Sequence, residues 1–156
     1  MFSDHVFVIA LDGSLIAHEN FQNVLLDIAV LRSLNIKVLL AYGIGCQLQR
    51  ASKLKNIKIT DGHGEGVTDN TTLSLAMEIA GEVGSLIVQG LTRSNLRCVS
   101  CNGVRAKSIG VVKGVDQINS GDVDKLDQKL FKQLLSSQTI PICLLYTSDA
   151  ADECLC

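Results

Sequence analysis

Two short glycine-bearing segments, Asp12-Gly13-Ser14 and Gly43-Ile44-Gly45, are where this sequence could best hold a ligand. Each follows an apolar run directly, and glycine lets backbone N–H groups approach an anion such as phosphate with no side chain in the way. The same glycines would serve equally well in plain turns. Cys98-Val99-Ser100-Cys101 has the spacing of a zinc knuckle. A tetrahedral site needs two more ligands, and no second Cys or His pair follows at a usable distance, so both are expected to be reduced, apolar strand residues. His18 beside Glu19 has the elements of a general acid and base. With no nucleophile nearby, a capping or solvent-facing role is expected. His63, within Gly62-His63-Gly64-Glu65-Gly66, lacks partners for a metal, and Lys125, Lys129 and Lys132 read as a solvated face. No metal site is expected.

The elements that must position these residues are legible from periodicity. Val6 to Leu11 is a continuous apolar run rich in β-branched residues, which predicts a buried central strand ending at Asp12. Asn20 is a candidate cap for a helix whose stripe of Phe21, Val24, Leu25, Ile28, Leu31 and Leu34 faces the core. Ile36 to Ala41 makes a second buried strand, so strand, helix and strand form a right-handed βαβ unit and imply a parallel sheet. Gln47 to Leu54 predicts a short helix. Asp69 should cap a long helix with Leu73, Ala76, Met77, Ala80, Val83 and Ile87 buried, interrupted by Gly81, Gly84 and Gly90. Beyond Leu96 the pattern turns to short strands: Leu96 to Cys101, Val104 to Lys107, Val111 to Ile118 and Val123 to Leu126. Asn102-Gly103 between two of them is a hairpin signal. Asp127 should cap a last helix with Leu130, Phe131, Leu134 and Leu135 inward, and Thr139 to Ile142 opens a further strand.

The whole chain has 156 residues, 47% hydrophobic and 19% charged, with a formal net charge of -2. That length suits about one domain. With four Phe, two Tyr and no Trp, and no basic stripe, it lacks the aromatic platforms and charge that nucleic-acid binding needs. The uninterrupted apolar runs are too short to span a bilayer, and no basic region precedes an apolar one at the N-terminus. Neither nucleic acid nor membrane is expected as a partner, and the cytoplasm is the expected location. Of six cysteines, Cys143, Cys154 and Cys156 stand at the end, leaving too few in the body for a disulfide framework.

The tail reads differently from the body. Cys143-Leu144-Leu145-Tyr146-Thr147-Ser148-Asp149-Ala150-Ala151-Asp152-Glu153 resembles the in-frame translation of a transposon-based sequencing adaptor. Residues 1–142 are therefore expected to form the N-terminal part of a domain and 143–156 a non-native tail. On that reading the chain is truncated.

A longer resemblance runs through the body. Phe7-Val8-Ile9, Ile16-Ala17-His18-Glu19-Asn20-Phe21, Asp27-Ile28, Leu31-Arg32-Ser33-Leu34, Tyr42-Gly43 and Gln47 are similar, in order and spacing, to the start of the amino-acid-kinase-like domain of bacterial N-acetylglutamate synthases. Val67-Thr68-Asp69, Leu73, Gly81, Ala106-Lys107, Gly110-Val111-Val112, Gly114-Val115-Asp116, Ser120-Gly121 and Leu126-Asp127 continue it. Ile16 to Phe21 is its most specific part, because acetylglutamate kinases do not usually carry it.

The resemblance implies an α/β, amino-acid-kinase-like fold: a mainly parallel sheet with helices on both faces and a β-hairpin insertion. It also implies a parent enzyme that acetylates glutamate from acetyl-CoA at the opening of arginine biosynthesis, with its catalysis in a separate C-terminal domain. The kinase-like domain in that family assembles a homo-oligomer and binds arginine as effector. No cofactor and no catalytic residue would then lie in this chain. Phosphoryl transfer needs cations aimed at the transferring oxygens. Ala10 stands where the kinases of this fold carry a first-strand lysine, Asp12 replaces the first loop glycine, and Gly66 replaces an arginine that would hold a substrate carboxylate. These substitutions oppose kinase activity. Two alternatives remain: a non-catalytic arginine-sensing or oligomerisation subunit, and a divergent acetylglutamate kinase.

Overall fold

A computed structural model describes residues 5–59 and 67–145. His63 and Gly66 lie outside them, as does the tail beyond Leu145. Four parallel strands form the main sheet: β1 (Val6–Leu11), β2 (Lys37–Tyr42), β3 (Cys98–Ser100) and β8 (Ile140–Leu144), in the order β1-β2-β8-β3. The expected α/β architecture with a mainly parallel sheet is therefore present. From β1 to β2 the chain crosses by α2 (Phe21–Ser33), and from β2 to β3 by α3 (Gly45–Lys55) and α4 (Asn70–Arg93). Both steps run the same way across the sheet, so right-handed crossovers put α2 and α4 on one face. They touch there, Leu25 of α2 filling the space above Gly90 of α4. The return from β3 to β8 runs the other way and places α5 (Gln128–Ser136) on the opposite face, against β8 and β2.

The core lies between β2, β8 and the α2–α4 layer. Val38, Leu40 and Tyr42 of β2 and Ile140 and Ile142 of β8 meet Leu25 and Ile28 of α2 and Leu75, Ile79, Val83, Ile87 and Leu91 of α4. The α4 ridge repeats every fourth residue, the spacing that keeps one helical line facing a sheet. It is rotated from the expected stripe: Met77 is 68% exposed and Leu73 is also exposed, whereas Leu75, Ile79 and the glycines Gly84 and Gly90 are buried. A Cβ at Gly84 would come within 2.8 Å of the Tyr42 hydroxyl. Close packing, which the glycines permit, chose the face over side-chain bulk. Among the described residues α4 alone has the length and apolarity to cross a bilayer, but its apolar ridge is occupied by the sheet.

Helix starts follow capping chemistry in part. Asp69 Oδ1 accepts the Thr72 N–H at 2.7 Å, and Asp127 Oδ1 accepts the Leu130 N–H at 3.0 Å, as expected. Hydrogen bonds from Thr72 hold the Asp69 carboxyl below the usual range. Asn20 does not cap α2: its backbone is already helical, and its side-chain oxygen accepts from the Asn23 amide instead. An unexpected short helix, α1 (Gly13–Ala17), precedes it. Leu34, placed on the core stripe by periodicity, is 64% exposed, because α2 ends at Ser33 and the chain turns through Asn35 at φ 60.

Two further expectations fail. β1 is an edge strand and largely exposed, rather than central and buried; β2 is its one strand neighbour among the described residues. Asn102-Gly103 makes no hairpin. β3 and β4 (Val104–Ser108) lie in different sheets, and neither Asn102 nor Gly103 takes the positive φ that a two-residue hairpin turn requires. Gly103 is instead covered by the Phe131 ring, and its carbonyl accepts the Asp127 N–H at 2.8 Å. The hairpin insertion itself is real: β4 pairs antiparallel with β7 (Gly121–Leu126), and β5 (Val111–Val112) with β6 (Val115–Asp116). The link from β6 to β7 rests on the start of α4, where Asn119 Nδ2 donates to Asn70 Oδ1 at 2.9 Å and the Asn119 N–H to the Thr68 carbonyl at 3.1 Å.

Candidate functional site

Parallel sheets offer ligands their carboxyl ends, and both glycine segments sit there. Leu11 and Tyr42 are register partners, and the Gly43 N–H donates to the Leu11 carbonyl at 3.0 Å, so the two segments meet. Gln47, in the first turn of α3, closes the junction. Its Nε2 donates to the Gly13 carbonyl at 2.6 Å, while its Oε1 is buried with no hydrogen-bond partner among the described residues. A Cβ on Gly13 would strike that oxygen and stand 3.4 Å from the Gly43 carbonyl. A side chain at Gly13 would thus displace the Gln47 amide from this junction. Gly45, which begins α3, has open space where a side chain would go, and Gly43 has only the Leu145 carbonyl nearby, at 3.9 Å. Ile44 is fully buried and anchors the second segment in the core.

The first segment already carries its own anion. Asp12 caps α1, and its Oδ1 accepts the Ser14 N–H at 2.7 Å and the Ser14 hydroxyl at 2.5 Å. A phosphate would have to displace that carboxylate from the N–H and then face its charge at close range. Ala10, on the adjacent strand end, supplies no compensating cation. The geometry of Asp12 therefore opposes phosphate binding at this loop.

Beside these loops is a cleft of about 490 Å³ lined by Tyr42, Gly81, Ser100, Cys101, Asn102 and Cys143 among others. Periodicity does not reveal it, because its walls come from β2, α4, the end of β3 and β8, which adjoin only in the fold. The Tyr42 hydroxyl donates to the Ala80 carbonyl at 3.1 Å; burial raises its pKa, partly offset by a hydrogen bond with Ser100. Cys101 Sγ faces Cys143 Sγ at 3.6 Å. Burial, reinforced by Cys101, pushes the Cys143 thiol up to about 12, so at neutral pH it stays protonated and weakly nucleophilic.

The remaining candidates do not converge. Cys98 directs its sulfur to the Val88 carbonyl of α4 at 3.8 Å, and burial raises its pKa, whereas Cys101 lies past the end of β3 and faces β8. Among the described residues no group of three or more His, Cys, Asp or Glu side chains could hold a metal ion. His18 ends α1 with Nδ1 accepting the Asn20 N–H at 3.1 Å, the local capping role, and Glu19 is exposed beside it. Lys125, Lys129 and Lys132 are all exposed.

Similarity to known proteins agrees with this fold. A family model described as the amino acid kinase family matches residues 5–154. The amino-acid acetyltransferase of Haemophilus ducreyi is 35% identical over 144 residues, covering 87% of this chain and 32% of that protein. The crystal structure of N-acetylglutamate synthase from Neisseria gonorrhoeae, complexed with coenzyme A and L-arginine, superposes with a TM-score of 0.78 at 27% identity, covering 89% of this chain and 35% of that one. A Streptococcus mutans protein, smu.665, shares the fold at 16% identity with a TM-score of 0.72, covering 92% of this chain and 59% of its own. The chain spans about a third of the length of the curated relatives it matches. A parallel sheet with its hairpin insertion, matched by the family model over nearly its whole length, establishes that this chain belongs to the amino acid kinase family.

Proposed function

We propose that this chain is the N-terminal part of the kinase-like module of an N-acetylglutamate synthase, serving regulation and assembly and not phosphoryl transfer. The observation that carries the reading is the Asp12 carboxylate bonded to the Ser14 N–H, in a chain whose curated relatives are amino-acid acetyltransferases. A kinase needs that loop free for phosphate and a cation beside it; here the loop is filled by an anion of the chain, and the strand before it offers Ala10. The longer protein would transfer acetyl from acetyl-CoA to glutamate in a separate domain, work in the cytoplasm as a homo-oligomer, and respond to arginine, the ligand present in the related Neisseria structure. None of the described residues is assigned a catalytic role.

Recovery of the coding sequence that follows codon 142 at the source locus tests this reading. The expected result is the rest of a kinase-like domain and then an acetyltransferase domain with a Gly-rich turn at a helix N-terminus, suited to the pyrophosphate of acetyl-CoA. A stop codon soon after a completed kinase-like domain would instead indicate a stand-alone sensing subunit. Continuation with a catalytic lysine set and no acetyltransferase would indicate a kinase.

A further inference from the structure

The junction of the two glycine segments holds oxygen atoms that find no donor among the described residues. Gln47 Oε1 is buried there without one. Buried polar atoms are nearly always paired, so an orphan acceptor marks a place for a donor from outside the chain. Asp12 spends only Oδ1 on the Ser14 N–H and hydroxyl, and the residue is exposed, so Oδ2 stays open. The Gly43 carbonyl, 3.4 Å from where a Gly13 side chain would begin, adds a third oxygen. No cation of the chain answers them. Residues 12–20 and 43–49 contain neither Lys nor Arg, and the described ion pairs, Lys55 with Glu78 and Arg105 with Asp127, leave Asp12 out. The N-terminus of α3 brings about half a positive charge, less than the full negative charge of Asp12.

We propose that this junction binds a primary ammonium group, held by Asp12 Oδ2, Gln47 Oε1 and the Gly43 carbonyl. An ammonium carries three N–H donors and no acceptor, so it can serve all three oxygens at once. A phosphate or carboxylate would meet the same oxygens with repulsion. A metal ion suits the place less well, because Asp12 is its one carboxylate and no metal-holding group of side chains occurs among the described residues. Gln47 reaches the junction at the end of a flexible side chain, and beside it Gly45 leaves open space, so the amide can turn to meet an entering ligand. An exposed carboxylate alone holds a cation weakly in water. Selectivity comes from the orphan Oε1, which a cation bearing N–H donors satisfies and one without them does not. The same Asp12 geometry carries the reading against phosphoryl transfer, and the arms of the experiment separate the two.

The intact 156-residue chain, labelled with nitrogen-15, is titrated with methylammonium, tetramethylammonium and inorganic phosphate. Nuclear magnetic resonance follows the backbone amides of Gly13, Ser14 and Gly45 and the side-chain amide of Gln47. Methylammonium should shift these signals saturably and bind at least about ten-fold more tightly than tetramethylammonium. Phosphate should leave them in place. Asp12→Asn keeps an acceptor for the Ser14 N–H and should weaken methylammonium binding by about ten-fold or more. If that variant does not fold, the contrast between the two ammonium ions on the unaltered chain decides. Equal binding of the two, binding indifferent to Asp12→Asn, or no saturable shift would overturn the ammonium site and leave the reading against phosphoryl transfer standing. Saturable phosphate shifts at Gly13 and Ser14 would overturn both.

Discussion

β1 and β2 are neighbours of nearly equal apolarity, Val-Phe-Val-Ile-Ala-Leu beside Lys-Val-Leu-Leu-Ala-Tyr, and they have opposite fates. β2 lies between β1 and β8, with Val38, Leu40 and Tyr42 sealed against α2 and α4. Among the described residues β1 has one strand neighbour, and its Val6 and Val8 are exposed. An apolar run thus marks a strand; its place at the edge or in the interior of the sheet decides how much of it is buried.

The largest expected contrast follows directly. Leu40→Ala, at a position with 0% exposure, should cost about 2–5 kcal/mol in denaturant unfolding, while Val8→Ala should change stability by less than about 0.5 kcal/mol. Equal losses would mean that β1 is covered in solution. A smaller contrast, of opposite signs, lies within α4. A methyl added at Gly90 would collide with Leu25, so Gly90→Ala should destabilise by about 1–3 kcal/mol. Gly81 faces open space, and Gly81→Ala should stabilise by about 0.5–1 kcal/mol through helix propensity. Two losses would show that both faces of α4 are packed.

Next in size is the cap of α5. Asp127→Ala removes the acceptor for the Leu130 N–H and should cost about 1 kcal/mol, with the loss confined to the α5 side of the sheet in hydrogen exchange. The pH dependence should also divide by region. Asp69 is held below its ordinary value, so its support of α4 is present above that value and fades as the pH falls below about 4. Cys143 has a raised folded value, so the folded chain keeps a proton that the unfolded chain releases. Its contribution is complete below the ordinary thiol value and declines as the pH rises from about 9 toward 12. Cys143→Ala should flatten that alkaline decline in thermal melts and leave the acidic limb unchanged.

Local chemistry was the legible part. Asp69 and Asp127 as caps, the βαβ unit, and the existence of strands near β1, β2, β3 and β8 follow from periodicity and turn residues. Long-range geometry was not legible. The α4 stripe shifted because Gly84 and Gly90 admit Tyr42 and Leu25, contacts that no single helix can announce. Asn102-Gly103 looked like a hairpin turn, but Phe131, far along the chain, covers Gly103. At the strand ends, the two glycine segments singled out in the sequence lie next to each other. Gln47, which joins them, stood in the sequence as a helix start and one position of the family resemblance, with no sign of its bond to Gly13, and the cleft around Tyr42 and Ser100 depends on strands that become neighbours only in the sheet.

The most direct test of the account is an assay of the full-length protein encoded at the source locus, run with two substrate pairs on one preparation. With acetyl-CoA and glutamate it should release free coenzyme A thiol; with MgATP and N-acetylglutamate it should form no ADP. ADP formation without thiol release would contradict the account, because it would require phosphate to bind where the Asp12 carboxylate already holds the Ser14 N–H.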